Sequence, residues 1–157
     1  MIRCLDNHYD VIYCDIDNTI IYGFMNELMD IAWKYTHSDL IADILMTLQA
    51  KFKLYRINHK LVHMLKTCEK PVVFLTARKE HPATKEILER EVTKYHYSVS
   101  LRTDRPAEDK VQYILNNQWC NTERFCIFDD NKKVRDLAME YDIDAFDPTP
   151  LYEEMVK

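Results

Sequence analysis

The stretch VIYCDIDNT, residues 11–19, joins an apolar run to two carboxylates that stand two positions apart. Apolar and β-branched runs bounded by polar residues are typical of buried strands, so residues 11–14 are predicted to form one. Side chains alternate along an extended chain, which places Asp15 and Asp17 on the same side if that conformation continues. Two carboxylates this close repel each other unless a cation compensates, and their hard oxygen atoms suit Mg²⁺. The alternative is a plain Asp-Asn turn after the strand.

Four more segments have the pattern of strands, and helical periodicity separates them. The strands are predicted at residues 71–76, 95–101, 124–128 and 143–146, and the helices at 26–55 (two, with Ser38 as N-cap of the second), 58–68, from Pro82, 106–117 and up to 141. Strands that alternate with helices predict a parallel sheet covered on both faces. The expected fold is α/β: a Rossmann-like three-layer α/β/α sandwich with a mainly parallel five-stranded sheet and a small helical insert after the first strand.

Length and composition predict one domain over residues 1–157, in which residues 22–55 form a small helical flap or cap insert.

A net charge of −5 argues against broad nonspecific nucleic-acid binding, although a local basic groove remains possible. No apolar run approaches the length of a membrane span, and the N-terminal residues lack the apolar stretch of a signal peptide. Five cysteines without C-x-x-C spacing indicate neither a zinc site nor a disulfide framework. We expect a cytoplasmic protein with no membrane association, and no obligate protein partner is evident.

Polar residues follow the carboxyl ends of several predicted strands. In parallel α/β sheets, ligands bind beyond those ends, so these side chains are expected to converge on one site. They are Asp15 and Asp17, Thr76 and Arg78, Arg102, and Asp129 and Asp130. Acids with a metal, a hydroxyl group and a lysine are the parts needed to handle a phosphoryl group, where catalysis depends on positioning and charge neutralisation. A carboxylate can also be the nucleophile, and Asp15 is the candidate.

The residue pattern resembles the haloacid dehalogenase superfamily of Mg²⁺-dependent phosphohydrolases, whose four motifs occur in order over nearly the whole chain. Residues 15–19 match the first motif, D-x-D-x-T. The resemblance implies that Asp15 is the nucleophile and a metal ligand. It implies that Asp17 protonates the leaving group, then activates water, and binds the metal through its main-chain carbonyl. The remaining motifs are matched by Thr76, which would hold the phosphoryl oxygens, by Lys110, and by Asp129 and Asp130, which would complete the metal site.

More narrowly, residues 76–78, 101–106 and 128–131 look like the 3′-phosphatase domain of phage polynucleotide kinases. That resemblance implies a nucleotide or a nucleic-acid 3′ end as the substrate. Arg78, Arg102 and Arg105 are expected to bind its phosphate groups. Lys110 lies one residue nearer to Arg105 than is usual in that subgroup, so Arg102 stays an alternative for the third-motif cation.

Other interpretations of the same residues remain open. A 5′-nucleotidase or a small-metabolite phosphatase is favoured if the insert closes over the site, whereas the insert helices could instead pack on the body and never touch substrate. Lys110 and Arg78 could be solvated cations at helix ends. A non-catalytic phosphoacceptor or binding module of the receiver type also uses acids, a hydroxyl group and a lysine. Receiver domains, however, place an acid pair at the first strand and the phosphoacceptor at the third. Here the D-x-D motif comes first and the acid pair fourth, an order that favours a hydrolase.

Overall fold

The apolar run at residues 11–14 forms the central strand of a sheet. In this computed structural model, residue 5 and residues 7–92, 96–118 and 123–156 are described. Their elements, in chain order, are β1 (Val11–Cys14), β2 (Ile21–Tyr22), α1 (Phe24–Thr36), α2 (Asp39–Lys51), β3 (Arg56–Ile57), α3 (His59–Thr67), β4 (Val72–Thr76), α4 (Pro82–Glu91), β5 (His96–Ser100), α5 (Pro106–Asn116), β6 (Phe125–Phe128), α6 (Lys132–Glu140), β7 (Asp144–Phe146) and α7 (Thr149–Val156).

The main sheet has five strands in the order β5-β4-β1-β6-β7, and every neighbouring pair is parallel. From β1 the chain moves to β4 and β5 on one side, then crosses to β6 and β7 on the other. The strand order therefore reverses at β1, which makes its carboxyl end the switch point where such sheets bind ligands. The predicted five-stranded parallel sheet is confirmed.

Alternate residues of β1 enter two separate hydrophobic clusters, one on each face of the sheet. Ile12 and Cys14 belong to the cluster that includes residues of α2, α3 and α4. Tyr13 belongs to the cluster that includes residues of α5 and α6. Helices thus cover both faces, as the predicted three-layer sandwich requires. Among the described residues, no helix combines the length and apolar composition needed to cross a membrane.

The segment predicted as an insert contains two helices that contact each other, α1 and α2. Ser38 is the N-cap of α2, as predicted, and its side chain accepts a hydrogen bond from the Ile41 amide at 3.4 Å. The short strands β2 and β3 pair antiparallel at the base of this hairpin, with Ile21 opposite Ile57. Strands of two residues are too short to show a periodicity, so the sequence did not indicate this pairing.

Several element ends differ from prediction by a few residues, and one helix was missed. The prediction ended with the strand at residues 143–146, whereas α7 follows it, and the Thr149 amide donates to Asp147 Oδ1 at 2.9 Å. Tyr95, the predicted start of the third strand of the main sheet, lies outside the described residues. Gly23, the single glycine of the chain, precedes α1 with a φ of 144°, a conformation that residues with a Cβ rarely adopt.

Candidate active site

The carboxyl end of the sheet brings four predicted side chains together. Asp15 directly follows β1, Thr76 is the last residue of β4, and Asp129 and Asp130 follow β6. Because β1 lies between β4 and β6, these residues meet around one point. Carboxylate oxygens of Asp15, Asp129 and Asp130 lie within 4.8 Å of one another. The convergence predicted from strand ends is therefore present in the structure.

Lys110 joins two of these carboxylates. Helix α5 begins at Pro106, and Lys110 lies one turn into it with its side chain buried. Its Nζ donates to Asp15 Oδ1 at 2.7 Å and to Asp129 Oδ2 at 2.6 Å. Lys110 is thus not a solvated helix-end cation but the centre of a buried bridge.

Thr19 connects the loop after β1 with the loop after β6. Its hydroxyl donates to Asp15 Oδ2 at 3.3 Å and accepts from the Asp130 amide at 3.2 Å. Asp129 Oδ1 accepts from the Asn131 amide at 2.9 Å, and Asn131 caps α6. These bonds hold the acidic residues in place through the backbone, because each loop begins at the fixed end of a strand.

Asp15, Asp130 and Lys110 have raised pKa values. Burial raises the pKa of Asp15; Lys110 opposes this, and the charges of Asp129 and Asp17 add to it. Burial and the neighbouring Asp129 raise the pKa of Asp130 to about 6, while Lys110 opposes the rise. The two carboxylates that Lys110 contacts raise its pKa despite its burial. The cluster therefore holds charges that are costly to bury together, which is typical of functional sites.

Asp17 and Arg78 form a bidentate ion pair beside this cluster. Arg78 donates through Nε and Nη2 to the two carboxylate oxygens of Asp17. The guanidinium also reaches the insert: Nη2 contacts Asn26 Oδ1 and Nη1 contacts Gln49 Oε1, both at 3.2 Å. Nη1 further contacts Thr84 Oγ1 of α4 at 3.4 Å. Gln49 Nε2 also donates to Asn26 Oδ1 at 2.8 Å. Arg78 is thus largely buried, and it connects Asp17 to the insert.

The other two predicted arginines lie further out. Arg102 forms an ion pair with Asp39, the first residue of α2, at 2.7 Å. Its neighbour Asp104 accepts a hydrogen bond from Trp33 Nε1 of α1 at 3.0 Å. Arg105 is exposed, pairs with Asp109 at 3.8 Å and does not line the cavity described next. The structure therefore brings Arg78 and Arg102 to the site and leaves Arg105 outside it.

A cavity of about 370 Å³ opens above the acidic cluster. Its floor includes Asp15, Thr76 and Lys110, and the insert supplies one wall through Met29 and Trp33. The insert helices thus line the site rather than packing only on the body. A lining formed partly by apolar side chains above convergent polar groups is usual for small-molecule sites.

Sequence reasoning missed the polar residues of the insert that face this site. Asn26 and Gln49 are buried, and Asp30 lines the cavity, where burial and the charge of Asp17 raise its pKa. Gln49 shares a helix face with Ala42 and Met46, so a polar residue at a core-facing position of α2 was an available signal. Asn26 gave none, since its hydrogen-bond partners lie on other elements, and Asp30 gave none either.

Comparison with known proteins finds similarity to a solved structure. No protein-family model and no curated protein matches it. A chain in the structure of the Pnkp1/Rnl/Hen1 RNA repair complex is similar to it, with a TM-score of 0.57 over 89% of this chain at 16% sequence identity. The match covers 42% of that chain. At this identity the similarity concerns the fold, and it agrees with the parallel α/β sandwich described above.

Proposed function

We propose that this protein is a Mg²⁺-dependent phosphatase that removes phosphate from a nucleotide or from the 3′ end of a nucleic acid through an aspartyl-phosphate on Asp15. The observation that carries this proposal is the buried bridge from Lys110 to Asp15 and Asp129, with Asp130 and Thr76 beside it. The resemblance of residues 15–19 to the first motif of the haloacid dehalogenase superfamily supports the same chemistry.

The acidic cluster fits a divalent cation. Its three carboxylates offer only oxygen ligands, which is the donor type that Mg²⁺ prefers. Lys110 supplies one positive charge against the three, and burial, together with the charge of Asp129, raises the pKa values of Asp15 and Asp130. Asp15, Asp129 and Asp130 would hold the ion, with the Asp17 carbonyl as a further proposed ligand. A bound Mg²⁺ would supply charge neutralisation for the phosphate.

The proposed reaction has two steps on Asp15. Its carboxylate oxygen attacks the phosphorus atom and the bond to the leaving oxygen breaks, while Asp17 gives that oxygen a proton. Asp17 then takes a proton from water, which attacks the phosphorus, releases phosphate and regenerates the Asp15 carboxylate. Arg78 positions the Asp17 side chain through hydrogen bonds to both of its oxygens, and one of these bonds must open so that Asp17 carries the proton it gives to the leaving oxygen. Thr76 and Lys110 would hold the phosphoryl oxygens and neutralise their charge.

Two observations bear on the substrate. The similar chain belongs to an RNA repair complex, which supports a nucleic-acid end. The second candidate is a 5′-nucleotidase or a small-metabolite phosphatase. It is favoured by the cavity wall that the insert forms and by the ion pair with Asp39, which occupies the Arg102 guanidinium.

The experiment measures phosphate release from nucleoside monophosphates and 3′-phosphorylated oligonucleotides, with Mg²⁺ and with EDTA. We expect turnover only with Mg²⁺ and none for Asp15→Asn, because that change removes the nucleophile. Asp136→Asn is the matched control, since Asp136 is exposed and pairs with Lys132 on α6. Activity retained by Asp15→Asn would exclude the covalent mechanism. Stoichiometric phosphorylation of Asp15 without turnover would favour the non-catalytic phosphoacceptor.

A further inference from the structure

The outer side of the insert is strongly apolar. On α1, Phe24, Leu28, Ile31 and Tyr35 are all exposed and recur at spacings of four, three and four residues. This spacing keeps them in one stripe along the helix, as at the a and d positions of a coiled coil. The residues of α1 that line the cavity, such as Met29 and Trp33, lie on the opposite side of the helix.

Helix α2 carries a second stripe. Ile41, Ile44 and Leu48 are spaced by three and four residues, with Leu40 and Phe52 at either end. Its cavity-facing and core-facing residues, Ala42 and Met46, again lie on the other side. The two helices contact each other, and on each the apolar stripe lies on the side away from the residues that line the cavity. We call this surface the outer stripe face.

The outer stripe face is large for a monomer. Its nine apolar side chains are between 36% and 74% exposed and make up nine of the thirteen exposed large hydrophobic residues in the described part of the chain. If a fully exposed large side chain offers roughly 200 Å², they expose about 900 Å² together. The largest apolar patch on a typical monomer is about 300–600 Å², whereas a stable dimer buries about 800 Å² per partner.

We propose that a second copy of this chain covers the outer stripe face, so that two α1–α2 hairpins pack as an antiparallel four-helix bundle around a two-fold axis. The exposed apolar area of the outer stripe face matches the area that one partner buries in a standard interface. The a/d spacing of its residues is typical of antiparallel helices that pack at crossing angles near 20°. This proposal does not rest on the proposed enzymatic function. Both stripes point away from the cavity, so the site stays open in the dimer.

The charges beside the α1 stripe are complementary under this symmetry. Glu27 and Lys34 flank the same edge of the stripe, on opposite sides of its midpoint between Leu28 and Ile31. An antiparallel two-fold axis through that midpoint brings Glu27 of one copy close to Lys34 of the second copy. Within one helix the two residues are seven positions apart, which is too far to pair. In a two-fold interface this contact between Glu27 and Lys34 occurs twice, so both residues of each copy face an opposite charge.

The test is the mass in solution, measured by light scattering and by sedimentation at about 100 µM and in dilution series. We expect wild-type protein close to twice the chain mass of 18.9 kDa. Ile31→Glu with Ile44→Glu should weaken the dimer at least about 100-fold, because the two charges would be buried without partners. Both positions are exposed in one chain, so the variant should keep its circular dichroism spectrum. Met139→Glu with Tyr141→Glu, at exposed apolar positions outside the insert, is the matched control and should leave the dimer intact.

Charge exchange tests the symmetry separately. Glu27→Lys alone and Lys34→Glu alone should each weaken the dimer about tenfold, and the two together should restore it. A monomeric wild-type protein, or an open series of larger species, overturns the proposal. A dimer that survives Ile31→Glu with Ile44→Glu but dissociates in the Met139/Tyr141 control overturns it as well. Failure of the double charge exchange to restore association excludes the two-fold arrangement.

Discussion

Lys110 Nζ lies between two buried carboxylates, 2.7 Å from Asp15 Oδ1 and 2.6 Å from Asp129 Oδ2. Removing one partner of a buried ionic group leaves the others uncompensated, which costs about 3–5 kcal/mol. We expect Lys110→Met to abolish phosphatase activity and to lower the free energy of unfolding of the metal-free protein by about that amount near pH 8. This decrease in the free energy of unfolding should become smaller toward pH 5, because protonation neutralises Asp15, whose pKa is raised by burial. Denaturant unfolding at several pH values measures this.

Lys132→Met is the control for that substitution. Lys132 is exposed and pairs with Asp136 on the surface of α6, where an ion pair contributes about 0–1 kcal/mol. The decrease in the free energy of unfolding caused by Lys132→Met should be small and nearly independent of pH over this range. Equal destabilisation by the two substitutions would contradict the role of Lys110 as the compensating charge of the cluster.

Arg78 illustrates what a motif leaves open at the scale of one residue. Its position after the Thr76 strand end predicts that it reaches the site, and the structure places it there. Its partners include Asp17, Asn26 and Gln49, however, and the last two belong to the insert. A guanidinium has five donors in a fixed fork, so it can bond to several elements at once. Arg78 as a substrate-binding residue stays a prediction.

At the scale of elements, the α1–α2 hairpin has two different sides. One side lines the cavity and contacts the loop after β5 through Asp39–Arg102 and Trp33–Asp104. The other carries the outer stripe face. The links to the loop are polar and exposed, and such contacts stabilise weakly. We therefore expect the hairpin wall to be the part of the site that moves to admit a larger substrate.

Asp39→Ala should shift the substrate preference toward longer substrates. Without Asp39, Arg102 is free to bind a phosphodiester and the wall loses one contact with the body. We expect kcat/KM for a 3′-phosphorylated oligonucleotide to rise relative to that for a 3′-mononucleotide, by no more than about fivefold because the pair is exposed. Added salt should reduce the difference. Asp136→Ala is the control, and an unchanged ratio in Asp39→Ala would favour the small-nucleotide phosphatase.

At the scale of the whole molecule, the acidic cluster links stability to metal and to pH. The pKa of Asp130 is raised from an ordinary 3.8 to about 6, so between those values the folded state binds more protons than the unfolded chain. The contribution of this group to stability therefore falls as pH rises through that window. A cation that binds only the folded state opposes this decrease in stability, because its binding shifts the equilibrium toward the folded protein by mass action.

We expect Mg²⁺ at about 100 times its Kd to raise the Tm by roughly 5–10 °C near pH 7.5, with a smaller rise near pH 5, where protons compete for the carboxylates. Asp130→Asn should be more stable than wild type without metal near pH 7.5 and should respond less to Mg²⁺. Asp136→Asn should behave as wild type. Thermal scans by differential fluorimetry measure these shifts, and a Tm insensitive to Mg²⁺ in wild type would contradict the metal site.

Local patterns in the sequence determined the order of the main elements. The apolar runs at residues 11–14 and 124–128 are strands, Ser38 caps a helix, and Pro82 and Pro106 begin helices, because each of these preferences acts over a few neighbouring residues. The convergence of Asp15, Thr76 and Asp129 followed from one further rule, since parallel strands end at the same edge of a sheet. The missed helix α7 also had a local signal, because Asp147 stands in a capping position before Pro150.

The tertiary structure alone decided which partner each charged side chain took. The sequence allowed Lys110 and Arg102 to exchange roles, whereas the fold buries Lys110 between Asp15 and Asp129 and holds Arg102 on Asp39. It also set the direction of the insert: Trp33 lines the cavity and Gln49 contacts Arg78, whereas the outer stripe face lies on the other side. These outcomes depend on contacts between residues far apart in the chain. Such contacts form only when whole elements dock, and so no local pattern encodes them.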